Sequence, residues 1–164
     1  MDKPGDALGT RLLWLEQPIR LSNAWKVHPI GKTDPDEIVG VCLANINNDG
    51  YQDVMIGGYS RGDRANDGMV KKNQSLGRIA WFEHPKDLEQ PWIRHDVSRR
   101  IRGMFDKFIA RDMDNDGDID FILTRGNSLP YDGVFWLEQI RSTIQRKSFE
   151  PARMNESQEA VLPR

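Results

Sequence analysis

The chain repeats itself, and that repetition limits what it can fold into more than any single motif does. "RLLWLEQP" at 11–18 matches "RIAWFEHP" at 78–85, and "WKVHPI" at 25–30 matches "WIRHDV" at 92–97. "ANINNDGYQDVMIGG" at 44–58 matches "ARDMDNDGDIDFILTRG" over 110–126. Trp14 and Trp81, Trp25 and Trp92, His28 and His95, Asp49 and Asp116, and Asp53 and Asp120 are each 67 positions apart. A third copy opens at "GVFWLEQ" (133–139), where Trp136 follows Trp81 by only 55 positions. The extra length of the longer period falls between Asp53 and Trp81, in "YSRGDRANDGMVKKNQSLG", which reads as a loop insertion.

Each copy resolves into four short apolar segments. In the middle copy these are A (38–44), B (53–58), C (78–83) and D (92–97). Segment A places Val39, Val41 and Leu43 at period two, the spacing of one face of a strand. "DVMIGG" and "DFILTRG" are continuous apolar runs, which suit strands covered on both faces. Gly, Asn, Asp and Pro fill the connections, as turns require. Four antiparallel strands per repeat predict an all-β chain of β-propeller-type blades, with the tryptophans packed between neighbours. The expected divisions are an N-terminal extension at 1–10, repeats over 11–141 and a disordered tail at 142–164. Within the repeats lie a partial blade at 11–30, a full blade at 38–97 and a partial blade at 105–139. About two and a half blades leave apolar faces uncovered. The chain is then a piece of a larger propeller, an open stack, or a subunit that completes its ring by oligomerising.

"DMDNDGDID" at 112–120 has the spacing D-x-D-x-D-G-x-x-D. Asp112, Asp114 and Asp116 hold positions 1, 3 and 5, the carbonyl of Asp118 position 7, and Asp120 position 9. Gly117 allows the tight reversal that turns these oxygens inward. A set of hard oxygen donors on a flexible loop suits Ca²⁺ better than Mg²⁺. Without a cation, two carboxylates about 4 Å apart repel by roughly 4 kcal/mol at an effective dielectric near 20. The earlier copy, "NINNDGYQD", offers Asn45, Asn47, Asp49, the carbonyl of Tyr51, and Asp53, so a weaker calcium site is expected at 45–53 than at 112–120. An EF-hand needs a Glu at position 12 and flanking helices. Position 12 is Leu123 or Ile56, inside a strand-like run, so a helix-opening calcium switch is excluded.

From the A strand through the aspartate loop and apolar B strand to "GRIAWFEHP" and "W-x-x-H-D-V", the chain resembles the FG-GAP/VCBS repeats over roughly residues 11–139. That resemblance implies an integrin-α-like propeller with calcium in its A–B loops. It also implies an extracellular or periplasmic setting, and a non-enzymatic role in binding a protein or a glycan. The alternative is a fragment of a carbohydrate-active propeller enzyme, lyase- or dehydratase-like, whose catalytic parts lie outside this chain.

The rest of the sequence adds mostly exclusions. A net charge of −2 gives no reason to expect nucleic acid as a partner. No apolar run reaches the roughly 18 residues needed to insert across a bilayer, and residues 1–10 show no apolar stretch of signal-peptide type. The single cysteine, Cys42, sits in "IVGVCLA" and reads as a small buried hydrophobe. His28 and His95 occupy equivalent positions, which favours a structural role repeated in each copy, while His84 reads as a variable edge residue. His95 and Asp96 are the nearest approach to an acid–base pair, but no nucleophile accompanies them. No catalytic constellation emerges. The B–C and D–A loops collect Arg61, Arg64, Lys71, Lys72, Arg99, Arg100, Arg102 and Arg125, a basic rim balanced by Asp34, Asp36, Asp63 and Asp67.

Overall fold

The computed structural model describes residues 10–33, 37–59, 79–98, 104–126 and 132–141. They form nine strands and no helix. The strands are β1 (Thr10–Glu16), β2 (Lys26–Thr33), β3 (Glu37–Ala44), β4 (Asp53–Tyr59), β5 (Ile79–Glu83), β6 (Ile93–Ser98), β7 (Phe108–Arg111), β8 (Asp120–Arg125) and β9 (Gly133–Leu137). They make three antiparallel sheets of two, four and three strands, in the orders β1-β2, β3-β4-β5-β6 and β7-β8-β9. Every strand pairs with its sequence neighbour, so each sheet is a meander. Segments A to D of the middle copy become β3 to β6, each boundary within a residue or so of its expected place. Thr10, expected in the N-terminal extension, opens β1, and Tyr59, the first residue of the insertion, closes β4. The rest of the extension at 1–10 and of the insertion at 59–77, the tail at 142–164 and the basic-rim residues other than Arg125 lie outside the described residues.

The sheets pack face to face, and side-chain parity decides which residue serves which contact. Val54 and Ile56 of β4, with Ala80 and Phe82 of β5, join Ile30, Leu12 and Trp14 of the first sheet in one apolar cluster. Met55 of β4, with Ile79 and Trp81 of β5, joins Phe108, Phe121, Leu123, Phe135 and Leu137 of the third sheet in another. The middle sheet is thus covered on both faces along β4, where every residue from Asp53 to Gly58 is buried. This is the physical reason its sequence runs apolar without alternation. Each large side chain in these clusters contributes roughly 1.5–3 kcal/mol by leaving water.

A seam between the second and third sheets is built on missing side chains. Phe105, 1% exposed, lies just before β7. A Cβ at Gly57 would overlap the Phe105 carbonyl, and one at Gly40 would come within 2.6 Å of the same oxygen. These two glycines let the backbone before β7 lie directly on β3 and β4. Arg125 is 3% exposed, with its guanidinium 5.8 Å from the centre of the Phe105 ring. It therefore does not belong to a solvated basic rim, as its place in a B–C loop suggested; it packs over this seam instead.

The outward faces of the stack are apolar and open. Leu13, Leu15 and Val27 are 46–56% exposed on the first sheet, and Ile109, Val134 and Trp136 are 48–69% exposed on the third. Val39, Val41 and Leu43 of β3 are also exposed, and among the described residues the two-stranded first sheet does not cover them.

Candidate metal centre

The loop joining β7 to β8 and the loop joining β3 to β4 have the same backbone path. Asn115 and Asn48 both take positive φ, 64° and 61°, and Gly117 and Gly50 take 92° and 93°. These are the 67-residue equivalents, and the repetition shows that the D/N-rich spacing encodes a defined turn. Asn is among the few non-glycine residues that enter the left-handed region readily.

In the later loop Asp112, Asp114 and Asp116 bring carboxylate oxygens within 4.8 Å of one another. Each also holds the loop's own backbone. Asp112 accepts from Asn115 N at 2.7 Å and Gly117 N at 3.1 Å, Asp114 from Asp116 N at 3.3 Å, and Asp116 from Asp118 N at 3.0 Å. The N–H of Asp118 holds the Asp116 carboxyl below its ordinary value. The Asp118 side chain is 5% exposed and pairs with Arg141 through Nε at 3.2 Å. Burial, then its contact with Asp116, raises its carboxyl above the ordinary value. The three clustered carboxylates keep unused lone pairs, and a hard divalent cation is the partner whose chemistry fits them. Asp112, Asp114 and Asp116 would hold it, supplying charge neutralisation to a loop that otherwise carries three adjacent anions.

Asp120 is placed differently from the other carboxylates. It is fully buried and receives two backbone N–H groups, from Met113 at 3.0 Å and from Gln139 at 2.9 Å. Asp53 does the same with Ile46 at 2.8 Å and His84 at 2.9 Å. The position-9 aspartate thus ties the A–B loop to the chain one or two residues beyond strand C in both repeats. The linear spacing shows it only as one oxygen donor among equals; its burial and its two backbone donors make it a staple of the loop as well.

The earlier loop is held by Asn45 and Asn47, whose side-chain oxygens accept from Asp49 N at 3.0 and 3.1 Å. Asp49 accepts from Tyr51 N at 3.0 Å and lies 3.8 Å from Lys86. Asn47 donates to Glu83 at 3.3 Å. The loop thus offers amides and one paired carboxylate where its counterpart offers three clustered carboxylates. Tyr51, expected to lend its carbonyl, also stacks its ring on His84 at 5.0 Å, and Trp92 meets the same His edge-on at 4.9 Å. His84 is therefore packed between loop and strand rather than idle at an edge.

His28 and His95 are repeated features, as their spacing implied. His28 stacks on Trp14 at 4.0 Å and bonds Glu16 at 2.7 Å; His95 stacks on Trp81 at 4.2 Å and bonds Glu83 at 2.8 Å. Glu at two positions after each Trp was visible in the sequence, and it would have identified this Trp–His–Glu unit. A cavity of about 370 Å³ opens between the two A–B loops, lined by Asn45, Asn48, Gln52, Asp118 and Arg141 over an apolar floor of Leu43 and Ala110. Among the described residues no helix is long and apolar enough to cross a membrane. Comparison with family models, curated proteins and solved structures finds no match for this chain.

Proposed function

We propose that this chain is a calcium-stabilised β-propeller repeat module that serves as a non-enzymatic scaffold for binding a protein or a glycan. The observation that carries the reading is the Asp112–Asp114–Asp116 cluster, set in a turn whose backbone recurs 67 residues away between equivalent strands. Meander sheets stacked face to face through alternate tryptophans support blades of the FG-GAP/VCBS type. In this reading calcium is structural: it fixes the loop from β7 to β8, and through it the rim of the stack.

The test is thermal unfolding with millimolar Ca²⁺, with Mg²⁺ and with EGTA, alongside calorimetric titration. At 100 times the dissociation constant, binding stabilises by about 2.7 kcal/mol, or roughly 5–11 °C in a chain of this size. The Asp116→Ala variant loses most of that response. An EGTA-insensitive melting temperature together with no heat of calcium binding overturns the proposal.

A further inference from the structure

We infer that the two outward faces of the stack are complementary to each other, and that this chain associates head to tail with a second copy of itself. The inference rests on sheet packing and not on calcium, so it stands or falls separately from the reading above.

The argument is the equivalence of residues across repeats. In the middle sheet, Cys42, Met55 and Trp81 form one cross-strand row, and that row packs against the third sheet. Its counterpart in the third sheet is Ile109, Ile122 and Trp136, again one cross-strand row. It points outward, with Ile109 50% and Trp136 48% exposed. The opposite face of the middle sheet presents Ala80 and Phe82, buried against the first sheet. Their counterparts in the first sheet are Leu13 and Leu15, 46% and 56% exposed. Each internal contact inserts a tryptophan, Trp14 or Trp81, against the alternate-parity residues of the next sheet. Trp136 is the third tryptophan of the series, and among the described residues no sheet follows it. Leu13 and Leu15 lie on a face that no other described sheet covers.

The last face of one copy therefore offers what the first face of another is shaped to meet. The two surfaces differ, so the contact is heterologous and propagates until it closes into a ring. Burial of one such apolar face is the same physical event already made twice inside the chain.

The experiment is sedimentation velocity on the 164-residue chain from low to high micromolar concentration, in calcium and in EGTA. Wild type should show species larger than a monomer whose share rises with concentration in both buffers. Trp136→Glu blocks one face and Leu15→Lys the other; each alone should remain monomeric. Mixed one to one, they retain one intact face apiece and should give a species of two chains and nothing larger. Both side chains are half exposed, so the folded sheets should survive, as far-ultraviolet circular dichroism will report. Val134→Lys and Leu13→Lys repeat the test should either first variant unfold. A monomeric wild type overturns the inference, as do a single variant that associates like wild type and a mixture of monomers.

Discussion

Replacing Asp120 with alanine is the most direct trial of the staple. The carboxylate is fully buried, and both its oxygens accept backbone N–H groups, from Met113 and from Gln139. Alanine leaves two buried donors without partners. A hydrogen bond to a charged group contributes about 1.5–3 kcal/mol, and an orphaned buried donor costs about 1–3 kcal/mol. Two such losses, reduced by no longer burying a carboxylate, come to about 3–5 kcal/mol. At 3 kcal/mol the melting temperature falls by roughly 6–12 °C. Asparagine offers one acceptor and places an NH₂ against the second donor, so Asp120→Asn should lose nearly as much. The assay is urea unfolding followed by tryptophan fluorescence, in EGTA and again in calcium. A staple loses its stability in both buffers, whereas a ligand loses it only where calcium is present. A change below about 1 kcal/mol in EGTA would refute the reasoning.

Other predictions follow from particular contacts. Gly57→Ala should cost about 1–3 kcal/mol in denaturant unfolding, because the new methyl must push Phe105 off β4. Asn47→Asp sets a carboxylate against Glu83; the pair is partly exposed, so the loss in EGTA should be only about 1 kcal/mol. The same variant should bind calcium more tightly by calorimetry. Burial pushes the Cys42 thiol above its ordinary value, against the opposing N–H of Ala110. Its thiolate fraction at pH 8 is then below that of a free cysteine, and its reaction with a disulfide reagent should be slower and should accelerate as pH rises.

The nine strands were legible because repetition and parity are both linear signals. Trp14, Trp81 and Trp136 mark the same strand three times, and Val39, Val41 and Leu43 announce one face of β3. The aspartate loop was legible as a turn for the same reason. What the spacing hides is the environment of each aspartate. Asp112 and Asp120 are the same residue type in one motif, yet one is partly open and the other sealed between two donors. Burial arises from the end of β9 approaching the start of β8, a contact that no local pattern reports. Phe105 was missed and Arg125 misplaced for a related reason: the seam they fill depends on Gly40 and Gly57, whose significance is a side chain that is not there.

The twin ties made by Asp53 and Asp120 also govern alignment. Each fastens the first residue of one strand to the chain one or two residues past its neighbour, so a one-residue slip between them would pull the N–H away from its acceptor. Such a slip would also turn every apolar side chain to the wrong face. Each repeat carries this fastening within its own sequence. An array of such units can therefore lengthen or shorten by whole copies, every new member arriving already in register.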